Sequence, residues 1–222
     1  LGLITSVFFV RDTTHHVSLE SGVSAEKPSF YQVWRNTSWS NRNMFASCQA
    51  GMVNNLNDGL AWGLLPLFFL SVGLSLERMS WLVAVYPLVW GVGQLGTGIL
   101  ADRIGRKIPI VAGMMLQGVS LILLVLAESP TVYLLAMIGQ GLGTALVYPA
   151  LLAVISDNSA PEWRSSSLGV YRLWRDSGYV VGAVFAGLLA DSIGLSGSIA
   201  AIGVITLCSG VVTMIVLKER MA

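Results

Sequence analysis

Charge is scarce in this 222-residue chain: Asp, Glu, Lys and Arg together make up 11% of it. A soluble domain carries about a quarter, so the shortage excludes a water-soluble enzyme and a disordered chain. Histidine is limited to His15 and His16, adjacent in a polar stretch and read as solvated rather than as a metal site. The two cysteines, Cys48 and Cys208, both lie in apolar stretches, which excludes a disulfide framework and a zinc site. Neither sign of charge dominates, with 13 Lys and Arg against 12 Asp and Glu, so no basic surface for nucleic acid is expected. What fills the chain instead is 54% hydrophobic residues, at a mean hydropathy of +0.70. The composition is that of a multi-pass membrane protein.

A membrane helix needs about 20 mostly apolar residues. Six such segments can be drawn, at Met44–Leu74, Trp81–Leu100, Ile108–Ala127, Thr131–Ile155, Leu168–Ala190 and Ile199–Leu217. The polar breaks between them are short, which forces neighbouring helices to run antiparallel. The expected organisation is an all-α bundle over residues 43–222, preceded by a polar linker over 11–42. Residues 1–10 are apolar but too short to span, and they read as the tail of a preceding membrane helix. An interfacial piece is expected around Phe30–Trp39, where aromatic and polar residues alternate.

Lys and Arg set the orientation. Arg11, Lys27, Arg35, Arg42, Arg103, Arg106, Lys107, Arg164, Lys218 and Arg220 fall on one side of the spans, and Arg78 alone on the other. The first side is therefore cytoplasmic. Arg172 and Arg175 fall inside the fifth span.

Between the second and third spans the sequence reads Gly98-Ile99-Leu100-Ala101-Asp102-Arg103-Ile104-Gly105-Arg106-Lys107. This resembles the signature loop of the major facilitator superfamily, Gly-x-x-Ala-Asp-Arg-x-Gly-Arg-Lys, at every signature position. The resemblance implies half of a twelve-helix fold, the C-terminal six helices arranged as a 3+3 inverted repeat. It also implies a gating role for Gly98, Asp102, Arg103, Gly105, Arg106 and Lys107. On physical grounds, Gly98 and Gly105 allow close approach and tight reversal, Asp102 suits the positive end of a neighbouring helix, and Asp157 is the acid expected to receive the loop's cations.

Polar side chains at membrane depth are costly and face a cavity or a partner. In the first span Gly51, Asn54, Asn55, Asp58 and Trp62 share a helical face, with Asp58 about 24 Å before Leu74 at 1.5 Å per residue. Pro66 beyond them suggests a kinked or interrupted helix. In the fifth span Arg172, Arg175, Asp176 and Tyr179 form a second stripe, expected to pair internally, with Asp58, or with a cavity. Gln94 on the second span and Gln140 on the fourth extend the polar set. Asn54, Asn55, Asp58, Gln94, Gln140, Arg172, Arg175, Asp176 and Tyr179 are thus candidates for substrate or proton coupling. Gly178 and Gly182, like Gly91, Gly93, Gly96 and Gly98, suit close helix packing.

The expectation is a permease of the plasma or inner membrane, moving a small solute by alternating access with ion or proton coupling. Its partners are lipid, solute and the other half of the transporter; no cofactor, metal or nucleic acid is implied. A six-span channel or scaffold is the alternative. An intramembrane protease is disfavoured, because no histidine lies within the bundle to serve as a base.

Overall fold

The computed structural model describes residues 28–219, and among them every regular element is helical. The expected membrane-helix tail at 1–10, with His15 and His16, lies outside the described residues. A short helix α1 (Phe30–Arg35) opens on Ser29, whose hydroxyl accepts from Gln32 N while the Gln32 side chain accepts from Ser29 N. This reciprocal cap supports a six-residue helix too short to show periodicity in sequence. A π-helical turn at Asn36–Ser40 leads into α2 (Arg42–Gly63), which Asn41 caps through Asn43 N and Met44 N. Trp174 Nε1 donates to Ser38 Oγ at 2.9 Å, which docks this entry segment on the bundle.

α2 and α3 (Leu65–Ser71) are pieces of one rod. Leu64 N donates to Leu60 O at 2.8 Å, and Phe68 N donates to Leu64 O at 2.9 Å. The discontinuity falls at Leu64, two residues before Pro66, whose ring removes a donor and crowds the preceding turn. Then follow α4 (Leu76–Ile104), α5 (Lys107–Leu126), α6 (Pro130–Asp157) and α7 (Arg164–Val216). These last four are the described helices long and apolar enough to cross a membrane.

α7 joins what the hydropathy separates into a fifth and a sixth span. A straight helix of its 53 residues would measure about 80 Å. It is not straight. Gly194 takes φ 78 and ψ 168, and Ser198 Oγ donates to Ala186 O at 2.8 Å. Twelve residues along one helix would hold those groups about 18 Å apart, so α7 doubles back at Gly194. The expected polar loop over 191–198 is thus one non-helical glycine between helical residues. Gly105, with φ 90 and ψ 169, makes the reversal between α4 and α5 in the same backbone region, one that is essentially closed to other residues.

The two reversals share a sequence. Gly98-Ile-Leu-Ala-Asp-Arg-Ile-Gly105 and Gly187-Leu-Leu-Ala-Asp-Ser-Ile-Gly194 agree at six of eight positions.

The first half of α7 lies against α2, where a Cβ on Gly182 would sit 2.7 Å from Leu56 O and one on Gly178 would collide with Met52. Of the second-span glycines only Gly93 meets a neighbour, Ala145; nothing lies within 4 Å of a Cβ at Gly91, Gly96 or Gly98. The close approach expected at Gly98 is therefore not made within this bundle. Inside, two apolar clusters are stacked. One holds Met44, Ile110, Met114, Leu151 and Tyr171; the other holds Leu60, Phe69, Leu121, Met137 and Ile199. Where the two clusters meet, each helix carries polar residues: Asn54, Asn57 and Asp58 on α2, Gln117 on α5, Gln140 and Thr144 on α6, and Thr206 on α7, all buried.

Candidate functional site

The polar layer has two compartments. In one, Gln117 Nε2 donates to Asn54 Oδ1 at 3.0 Å, and Asn57 Nδ2 donates to Gln117 Oε1 at 2.8 Å. Thr206 Oγ1 donates to Asn57 Oδ1 at 2.8 Å. One helical turn and more towards the start of α2, Gln49 exchanges hydrogen bonds with Thr213 and Ser209. These amides and hydroxyls satisfy one another between α2, α5 and the second half of α7. A buried polar group costs little once it is paired, so this compartment holds helices in register.

The other compartment lies towards α4 and α6. Tyr86 donates its hydroxyl proton to Asp58 Oδ1, and the Tyr86 hydroxyl oxygen lies 3.2 Å from Thr144 Oγ1. Asp58 is 8% exposed. Its hydrogen-bond partner is a phenol and not a guanidinium. From Tyr86 a chain of rings continues: Trp62 meets it edge-on at 6.4 Å, Trp90 stacks on it at 6.3 Å, and Tyr148 meets Trp90 at 6.3 Å. The chain ends where the Arg175 guanidinium lies over the Tyr148 ring, 5.2 Å from its centre. Arg175 Nη1 also donates to Tyr148 Oη at 2.7 Å, and Nη2 pairs with Asp176 at 2.6 Å.

The single stripe expected on α2 therefore divides. Asn54 turns into the sealed amide network and Asp58 into the aromatic compartment, because α2 is surrounded by several helices and a drift of about 40° every four residues moves the stripe from one neighbour to the next. Asn55 is half-buried, and Trp62 is exposed. On α7, Arg175 and Asp176 pair with each other and not with Asp58, while Arg172, Asp176 and Tyr179 are exposed on the bundle surface. Gln94 is half-buried on α4. Gln140 is 2% exposed, and its Oε1, like Trp90 Nε1, is buried without a hydrogen-bond partner among the described residues. Asn57, Tyr86 and Tyr148 complete these networks. Each was visible in sequence as a polar or aromatic residue in a span, but its partner was not.

At one end of the bundle the signature loop is tied on three sides. Arg106 pairs with Asp102 at 2.7 Å, with Asp157 at 3.3 Å, and donates to Ala101 O at 2.8 Å. Asp102 thus faces a guanidinium one turn away, not a helix end as expected. The helix end belongs to Glu219, whose carboxylate accepts from Arg106 N at 2.6 Å and Lys107 N at 3.3 Å. Nothing in the sequence marked Glu219, an acid between Lys218 and Arg220. Arg103 and Lys107, with Asp102, Arg106, Asp157, Lys218 and Glu219, line a cavity of about 610 Å³ at this end. Among the described residues no cluster of His, Cys, Asp and Glu suits a metal ion.

An apolar helical bundle with a buried carboxyl and a charged signature at one end defines a multi-pass membrane protein of the transporter class. Residues 48–221 match the family model of the Major Facilitator Superfamily, and the chain belongs to that family. It is 26% identical over 136 residues to the quinolone resistance protein NorA of Staphylococcus aureus, which covers 61% of this chain and 35% of NorA. It is 25% identical over 167 residues to multidrug resistance protein 2 of Bacillus subtilis, covering 75% of this chain and 42% of that protein. The chain thus spans less than half the length of these relatives.

Proposed function

We propose that this chain is the C-terminal half of a proton-coupled secondary transporter that moves small aromatic amphiphiles across the plasma membrane by alternating access. In this reading the bundle makes six crossings, by α2 with α3, by α4, α5 and α6, and by the two halves of α7. The doubling back at Gly194 supports the last two. The recurrence of Gly-x-Leu-Ala-Asp-x-Ile-Gly at two helix reversals supports a 3+3 repeat. A preceding six-helix half completes the cavity, with residues 11–42 as the cytoplasmic linker.

One observation carries the coupling: the Asp58 carboxyl is buried inside the helical bundle and bonded to a phenol. Intramembrane carboxyls of this kind mark ion and proton pathways. Alternate exposure to the two compartments loads and unloads the proton. The ring chain from Trp62 to Tyr148 supplies flat apolar surface beside it, and the Arg175–Asp176 pair closes its cytoplasmic end. The resistance named in both relatives supports aromatic drugs as the solute and export as the direction. The signature loop, with Asp102, Arg106 and Asp157, serves as the cytoplasmic gate.

Reconstituted full-length protein tests the coupling. Asp58→Asn abolishes uptake driven by a pH gradient while leaving solute exchange across the same vesicles. Persistent gradient-driven uptake in that variant contradicts the assignment. A channel, by contrast, dissipates a solute gradient and shows no exchange against one.

A further inference from the structure

The two copies of Gly-x-Leu-Ala-Asp-x-Ile-Gly turn the chain in the same way, yet they are furnished differently. After Gly194 come Leu195 and Ser196; after Gly105 come Arg106 and Lys107. Reversal therefore needs the glycine alone. The charges around the cytoplasmic copy serve another end, and the structure shows what they hold together.

Glu219 reaches across from the end of the last helix and places its carboxylate on the first N–H groups of α5, those of Arg106 and Lys107. A helix N-terminus carries unpaired donors and a partial positive charge, which a carboxylate satisfies. Gly105 makes the room, because a Cβ there would collide with this carboxylate. The segment carrying Glu219 is itself clamped. Asn43, at the start of α2, donates through Nδ2 to Lys218 O at 3.1 Å and accepts from Lys218 N at 2.9 Å. The same amide reaches Asn158, just past α6, at 3.4 Å. With the Asp102–Arg106–Asp157 bridge, the cytoplasmic ends of α2, α4, α5, α6 and α7 meet around one cavity.

We propose that Glu219 is a latch: a positioning residue that holds the signature loop over the cytoplasmic cavity and lets go when the gate opens. The inference rests on the loop being that gate. It assigns the second signature glycine a further task, which is to admit a carboxylate from the end of the chain. It also makes the C-terminal segment after α7 a working part of the gate.

The reporter is Val154, which lines the cavity and is 4% exposed. In full-length protein in membrane vesicles, Val154→Cys is combined with Cys208→Ser, and maleimide is added from the cytoplasmic side. Glu219→Gln speeds labelling by roughly two- to fivefold, the scale of a charge at a helix end, with insertion unchanged. Asp102→Asn speeds it as well. Gly105→Ala, which also strains a backbone region that glycine alone occupies freely, speeds labelling too, and adding Glu219→Ala to it gives less than the product of the two single effects, because the Glu219 contact is lost in both. If Asp102→Asn opens the cavity while Glu219→Gln does not, or if the glycine and glutamate effects multiply, the latch is refuted and the gate stands. If neither Asp102→Asn nor Glu219→Gln changes labelling, the gate reading falls and the latch falls with it.

Discussion

Tyr86 is the residue on which the Asp58 environment turns. Tyr86→Phe keeps the ring stack with Trp90 and removes the hydroxyl that serves Asp58 and Thr144. A buried carboxyl left without its donor costs about 1–3 kcal/mol, so thermal unfolding in detergent shifts down by that amount. The loss shrinks when Asp58→Leu is already present, since the group needing a donor is gone. Gln117 behaves differently. Gln117→Leu strands Asn54 Oδ1 and Asn57 Nδ2 together, and each orphan costs about 1–3 kcal/mol. Stability falls while the apparent affinity for solute holds, because this network lies away from the aromatic compartment. In sequence these residues were legible as expensive, since amides and carboxylates inside apolar spans need partners. Which partner each one meets was not legible: a stripe gives a direction around its own helix, not the identity of the helix on that side. Asn54 and Asp58, four residues apart, face different neighbours for this reason.

At the scale of elements, the apolar lengths that marked the second, third and fourth spans correspond to α4, α5 and α6, those that marked the fifth and sixth fall together in α7, and Pro66 marked the break between α2 and α3. The turn at Gly194 was harder to read. Asp191, Ser192, Ser196 and Ser198 look like a loop by polarity, yet all are helical, and one glycine with positive φ makes the reversal. Hydropathy averages over windows and is blind to a single backbone torsion. Comparison with the signature was the available signal, since Ile104-Gly105 and Ile193-Gly194 stand at equivalent places in the repeated octet. Gly194→Ala forces a Cβ into a region of φ and ψ that only glycine occupies freely, at a cost of about 1–3 kcal/mol. Its neighbourhood is open, with nothing within 4 Å of the place a Cβ would take, so the loss is backbone strain alone. Thermal unfolding shifts by that amount, and the cytoplasmic labelling of Val154→Cys stays as in the parent.

At the scale of the whole molecule, buried polar residues lie where two apolar clusters meet, and among the described residues only the part facing α4 and α6 contains a carboxylate. The amide network binds α2, α5 and the second half of α7 into a frame. The aromatic compartment, with Asp58 at one end and the Arg175–Asp176 pair at the other, carries the proposed chemistry. The signature loop and Glu219 gather the helix ends at one side of the bundle. In the proposed mechanism, transport depends on one carboxyl exchanging its proton as solute arrives. The direct measurement is proton release from the purified full-length protein, followed with a pH dye in weakly buffered detergent as an aromatic cation is added. Wild-type protein releases protons as the solute saturates, and Asp58→Asn binds the solute without releasing them. Equal release from the variant would remove Asp58 from the coupling and contradict the account.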